Sequence, residues 1–248
     1  MTARDWDART YDRIANPMAR WGEAVLDRLD LAGGERVLDA GCGSGRVTER
    51  LLERLPTGHV VAVDGSPRMI DEAKARLGAD NDRVQYLVAD LTEPLPIDPV
   101  DAILSTATFH WIADHDALFT NLARVLRPNG QLAAQCGGGA NLASIMAILD
   151  DIDPERRLFR PWHFAWPEET ERRLANAGFR DISVWLHDEP TDLPPDTVPE
   201  YLRTIILGST LERMPEADRE PLVRAVADRI PNGRLDYVRL NITARRTA

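Results

Sequence analysis

Between residues 35 and 135, short and continuously apolar runs alternate with stretches of helical periodicity. This alternation constrains the fold more than any other feature of the chain. Residues 36–40, 60–63, 84–88, 100–104 and 131–135 read as five strands. Between them, Val47, Leu51, Leu52 and Leu55 fall at helical spacing, as do Ile70, Ala73 and Leu77 behind Ser66-Pro67, and Leu118, Leu122, Val125 and Leu126. A sheet with one wet face alternates apolar and polar residues. Runs that are apolar throughout predict a parallel sheet covered on both faces by βαβ crossovers, hence an α/β fold. Pro128-Asn129-Gly130 is predicted to stop the last of these helices.

After residue 135 the pattern changes. Helical patterns flank an aromatic, proline-bearing stretch, 159–167. Residues 168–177 read as a helix, Ile182, Val184 and Leu186 as a strand, and 188–199, with four prolines, as a loop. Two amphipathic helices, near 200–213 and 216–230, precede a strand over 235–244. There Val238, Leu240 and Ile242 face one way and Tyr237, Arg239 and Asn241 the other. The two late strands read as the end of the same sheet, and the helices as an inserted cap.

Composition narrows the partners. Thirty Lys and Arg against forty Asp and Glu leave a formal charge of −10 over 248 residues, which argues against a general binder of nucleic-acid backbones. Cys42 and Cys136 lie far apart and outside any CxxC pair, so neither a disulfide framework nor a zinc ribbon is expected. No apolar run approaches the ~20 residues needed to span a bilayer, and the first residues lack the apolar stretch of a signal peptide. The expectation is a cytoplasmic protein, monomer or homodimer, with neither a membrane nor a nucleic-acid partner.

The densest chemical signal is Asp39-Ala40-Gly41-Cys42-Gly43-Ser44-Gly45, where a strand ends and a helix begins. Glycines there permit a tight turn and close backbone approach to a ligand, and bare N–H groups at a helix start favour a carboxylate or phosphate. Asp64 ends the second strand and Asp90 the third. All three acids thus stand at the carboxyl ends of parallel strands, where open α/β sheets bind ligands and where an acid can take ribose hydroxyls. A nicotinamide dinucleotide is the first alternative, but its GxGxxG fingerprint fails at Arg46. Asp39 also suits an amine or sulfonium better than a pyrophosphate. A non-catalytic binding module is the second alternative.

Residues 35–135 resemble the core of class I S-adenosylmethionine-dependent methyltransferases. The resemblance rests on the acidic glycine loop, Val63-Asp64-Gly65-Ser66-Pro67-Arg68-Met69, Val88-Ala89-Asp90-Leu91, the 104–111 run and Leu126-Arg127-Pro128-Asn129-Gly130-Gln131-Leu132. Within that class the chain is similar to the trans-aconitate methyltransferase-like group, through Trp6, Tyr11, the 110–119 segment (HWIADHDALF) and the late helical insertion. Gly137-Gly138-Gly139 departs from that group's pattern. The resemblance implies a Rossmann-like, mostly parallel seven-stranded sheet with an antiparallel last strand, helices on both faces and a helical cap. It divides the chain into an N-terminal helical lid segment (1–33), a cofactor-binding core (34–139) and cap insertions with the last two strands (140–248). It implies S-adenosyl-L-methionine as cofactor. Gly41, Cys42, Gly43 and Gly45 would lie at its methionine portion with Asp39 shaping the loop. Asp64 and Gly65 would lie at the ribose, Met69, Asp90 and Leu91 at the adenine, and Ser105 and Thr106 at the methyl-transfer site.

The implied reaction is methyl transfer to a small-molecule acceptor, a carboxylic acid or a natural-product oxygen, carbon or nitrogen. His110, just past the fourth strand, is the candidate general base, with a positioning or packing role as its alternative. Trp6, Tyr11, Trp111, Trp162, Tyr237 and Arg239 are the candidate acceptor-binding residues. Aromatics suit a planar or apolar body, and arginine suits a carboxylate. The group His110, Asp114, His115 and Asp116 is read as helix capping and packing, not as a metal site.

Overall fold

The computed structural model describes residues 16–230 and 232–248 and, from residue 21 onward, their side chains. The strands are β1 (Arg36–Ala40), β2 (His59–Asp64), β3 (Val84–Val88), β4 (Val100–Thr106), β5 (Leu126–Gly137), β6 (Phe179–Asp188), β7 (Thr191–Asp192), β8 (Arg234–Leu235) and β9 (Val238–Arg246). Among the described residues, seven of them form one sheet in the order β3-β2-β1-β4-β5-β9-β6. β1 to β5 pair in parallel, and β9 runs antiparallel between β5 and β6. The expected α/β sheet with an antiparallel last strand is therefore what forms.

Neighbouring residues of the strands serve opposite faces. Leu38, Val61, Val63 and Ile103 pack with Leu118 and Leu122 of α4 (His115–Val125) and with Leu174 of α6 (Pro167–Asn176). Val37, Val60, Ala62 and Leu104 pack with Val25 and Leu26 of α1 (Asn16–Leu26), Leu51 of α2 (Arg46–Arg54) and Ile70 of α3 (Pro67–Leu77). Burial on both sides explains why successive residues at the centres of these strands are apolar. A third core joins Trp21 to α5 (Ala143–Ile152), to the 198–211 segment and to α9 (Glu216–Ala227), which together form the cap. No described helix is long and apolar enough to cross a membrane.

Three local readings are corrected. Residues 188–199 are not all loop, because β7 pairs with β8. The helix read over 200–213 is broken into α7 (Val198–Tyr201), a π-helical turn (Leu202–Ile206) and α8 (Gly208–Glu212), with the Leu207 N–H donating five residues back to Leu202 at 2.7 Å. β5 starts at Leu126, and its register to β4 slips from Val100↔Leu126 to Ala102↔Gln131. The Pro128-Asn129-Gly130 turn is thereby taken up as a bulge, with Asn129 at φ 65°.

Candidate active site

Strand order reverses between β1, which leads to β2 and β3, and β4, which leads to β5. A crevice opens at such a switch point beyond the strands' carboxyl ends. The glycine loop leaves β1 there, and the 107–111 turn leaves β4. The loop is tied to β2: the Gly41 and Cys42 N–H groups both donate to the Val63 carbonyl, at 2.8 and 2.9 Å. The Asp64 carboxylate accepts the Gly43 N–H at 3.0 Å and the Ser66 N–H at 2.8 Å, so it is oriented before any ligand arrives. Gly41 and Gly43 have φ 85° and 54°, which favours glycine. A Cβ at Gly41 would strike the Thr108 side chain, whereas one at Gly43 would meet nothing within 4 Å. Ser66 caps α3, accepting the Met69 N–H at 3.3 Å ahead of Pro67 in the first turn.

Burial shifts several of these groups. It pushes the Asp39 carboxyl up to about 7, with the Thr48 hydroxyl opposing and the Asp64 charge adding. Thr48 donates to Asp39 Oδ2 at 2.7 Å, while the buried Oδ1 has no hydrogen-bond partner among the described residues. Asp64 is also raised by burial, against the N–H groups of Ser66, Gly43 and Gly65.

The crevice is a cavity of about 670 Å³, within the range of small-ligand sites. Gly41, Gly43, Asp64, Gly65, Met69, Asp90, Leu91 and Thr106, from the glycine loop and the ends of the parallel strands, line it together with His110, Trp111, Trp162, Tyr237 and Arg239. In this second, aromatic group Trp162 stacks on Phe164, with centroids 6.5 Å apart, and Phe164 lies 6.1 Å from the His110 ring. Arg239 is only 2% exposed. Its guanidinium sits 4.4 Å over the Trp21 ring, and its Nε donates to Gln135 Oε1 at 3.3 Å. Tyr237 and Tyr201 share a hydroxyl hydrogen bond at 2.8 Å.

Not every candidate reaches the cavity. Ser105 does not: its side chain is buried and donates to the Ala40 carbonyl at 2.6 Å, because adjacent strand residues face opposite ways and Thr106 takes the cavity side. Gly45 starts α2 with φ 83° and packs against Ala73 and Leu77. Cys42 and Asp39 are buried behind the loop. Asp90 lies on the wall but is exposed, its Oδ1 accepting from the Thr92 N–H and hydroxyl at 2.9 and 2.7 Å. Asp114 caps α4 as expected, accepting the Ala117 N–H at 2.9 Å. Trp6 and Tyr11 fall outside the described residues.

The cavity also includes residues that sequence patterns did not single out. Ala107 and Leu142 line it with φ of 56° and 54°, strained values for side-chain-bearing residues that concentrate at functional sites. Ile205 and Ile206, both within the π-helical turn, line it as well. Within the aromatic stretch, Phe164 and Trp162 face the cavity, whereas Trp166 is 53% exposed.

The family model described as a methyltransferase domain matches residues 37–130. The chain is 34% identical over 244 residues to a trans-aconitate 2-methyltransferase of Acidovorax ebreus, covering 86% of this chain and 90% of that protein. It is 35% identical over 206 residues to a malonyl-[acyl-carrier protein] O-methyltransferase of Geobacter sulfurreducens, covering 80% and 75%. The fold is also that of Haemonchus contortus phosphoethanolamine N-methyltransferase 2, solved with S-adenosylhomocysteine (TM-score 0.62, 22% identity, 98% of this chain and 57% of that one). Relatedness at this level, over most of both chains, means that the protein belongs to the class I S-adenosyl-L-methionine-dependent methyltransferases, in their trans-aconitate methyltransferase-like group.

Proposed function

We propose that the chain methylates a small carboxylic acid, with the cofactor on the glycine side of the cleft and the acceptor on the aromatic side. The observation that carries this reading is a buried arginine, Arg239, on the same cavity as Asp64 and the glycine loop. Such a guanidinium suits a planar carboxylate. The names of the trans-aconitate and malonyl relatives, both acids, support the same acceptor class.

The glycine side fits S-adenosyl-L-methionine on two points. Bare backbone stands at Gly43 where a Cβ would enter open space, and Asp39 Oδ1 keeps unused acceptor capacity behind the loop. Gly41 and Gly43 would hold the methionine portion, with Cys42, Gly45 and Asp39 shaping the loop. Asp64 and Gly65 would hold the ribose, Met69, Leu91 and Asp90 the adenine, and Thr106 the transfer site. When bound, the cofactor supplies a methyl on a sulfonium, whose carbon–sulfur bond breaks with the electron pair left on sulfur. Arg239 would orient the acceptor while Trp111, Trp162 and Tyr237 exclude water. Alignment of this kind is worth ~7–11 kcal/mol. A carboxylate has no proton to lose at neutral pH, so this acceptor asks for no base.

In this reading residues 34–139 are the cofactor core and residues 140–248 the cap insertions with the last two strands of the sheet; of the segment 1–33 expected as a lid, Trp6 and Tyr11 lie outside the described residues, and Val25 and Leu26 pack in the core of the sheet. The enzyme works in the cytoplasm as a monomer or homodimer on a free small molecule. The charge of −10 speaks against a nucleic-acid substrate. A transfer assay with methyl-labelled cofactor against panels of small acids, phenols and amines tests the proposal. Label is expected in base-labile methyl esters; transfer confined to phenols or amines would overturn it.

A further inference from the structure

We infer that His110 is a hydrogen-bond donor, presenting its Nε2–H to an anionic oxygen of the acceptor, and is not a general base. The donor's target rests on the carboxylic-acid reading above; its tautomer does not.

The Gly137 N–H donates to His110 Nδ1 at 3.3 Å. A ring nitrogen accepting a backbone N–H has its lone pair engaged, so the neutral imidazole carries its proton on Nε2. Backbone and ring are both held. The His163 N–H donates to the His110 backbone carbonyl at 2.9 Å, and the Trp111 and Phe164 rings lie 5.0 and 6.1 Å from the imidazole. Gly137 is part of this arrangement: a Cβ there would come within 2.8 Å of the Asn141 side chain and 3.1 Å of Phe164. Nε2 makes no hydrogen bond to any described group of the protein, and the ring lines the cavity.

The surroundings also keep the ring neutral. Burial, then the Arg239 charge, then His115 hold His110 well below the ordinary histidine range. The nearby Cys136 thiol is pushed up to about 12, chiefly by burial, and so adds no negative charge. To act as a base, Nε2 would need a free lone pair toward the acceptor. The proton would then move to Nδ1, where it would point at the Gly137 N–H. As it stands, the wall presents an N–H and a guanidinium to the acceptor. That suits an oxygen already ionised, and it leaves His110 itself unable to deprotonate a phenol or ammonium.

Nitrogen NMR of the cofactor-free protein with labelled histidine, assigned by loss of the signal in His110→Gln, reads the tautomer directly. Expected are an unprotonated Nδ1 and a protonated Nε2, unchanged from about pH 6 to 8, the range where an unperturbed histidine titrates. A protonated Nδ1, or a titration inside that range, overturns the inference. Kinetics give a second arm. His110→Gln keeps an N–H at a similar reach and cannot act as a base. Its kcat/KM should stay within about tenfold of wild type, mostly as a KM change, while His110→Ala should lose about 100-fold. Equal losses in both variants overturn the inference. The two readings fail separately. Acid methylation with an Nδ1–H tautomer removes this role and keeps the function. Phenol or amine methylation with an Nε2–H tautomer removes the acid acceptor and keeps the tautomer.

Discussion

The glycine wall of the cleft is built on backbone and on strand-end residues of β1, β2 and β3, tied together by hydrogen bonds at the first two, whereas the aromatic wall is made of large side chains from segments far apart in the chain. On the first wall, Gly43, Asp64 and Ser66 fix one another through backbone N–H donors. On the second, residues 110–111, 159–164, 205–209 and 237–239 converge, and Arg239 is held by Gln135 from one strand and Trp21 from an N-terminal helix. A wall of the first kind presents one shape to one ligand. A wall of the second kind changes its ligand when a few side chains change, while the sheet beneath stays as it is. The difference is what a shared cofactor and varied acceptors require.

The comparison breaks if the two walls respond alike to mutation. The largest expected effect is Asp64→Ala, which removes a ligand acceptor and frees the Gly43 and Ser66 N–H groups. Calorimetry with S-adenosylhomocysteine should show affinity falling about 100-fold. Arg239→Ala should raise KM for an acid acceptor about 30-fold, the loss of a charged hydrogen-bond pair. It should leave cofactor affinity almost unchanged; a matching cofactor defect would merge the two walls into one.

Next in size is a contrast within the glycine wall. Gly41→Ala should lose about 2 kcal/mol in denaturant unfolding, because its Cβ runs into Thr108 at a positive φ. Gly43→Ala should lose only about 1 kcal/mol for its backbone, yet still weaken cofactor binding, because Gly43 lines the cavity and its Cβ would stand in open space.

The smallest effect is a pH slope. The folded Asp39 carboxyl, at about 7, lies above its ordinary value of 3.8. The folded chain then binds more protons than the unfolded one between these values, so stability falls as pH rises through that window and is flat above it. Asp64 is shifted in the same sense. Asp39→Asn should flatten the slope by on the order of 1 kcal/mol between pH 5 and 7, read from unfolding curves of the cofactor-free protein. An unchanged slope would place the effect elsewhere.

Much of the glycine wall was legible in the chain. Asp39 to Gly45 form one short run and Asp64, Gly65 and Met69 a second, each at the end of a readable strand, and the turn in the first needs glycine at particular positions. Even there, sequence alone does not separate Ser105 from Thr106; the facing of the strand does. The acceptor wall was legible as composition alone. Trp162 and Trp166 sit four residues apart in one aromatic stretch, yet one lines the cavity and the other is exposed to solvent.

Local residue patterns carry the parallel sheet and the cofactor loop, while the antiparallel end follows from the family resemblance. Two-sided burial and a strand–turn–helix junction leave their marks in adjacent residues. The bulge that extends β5, the π turn that holds Ile205 and Ile206, and the Gly137 N–H that meets His110 Nδ1 come from the assembled fold instead. Each depends on which distant segments meet, and hydrogen bonds and van der Waals contacts across such meetings have no counterpart in local sequence pattern.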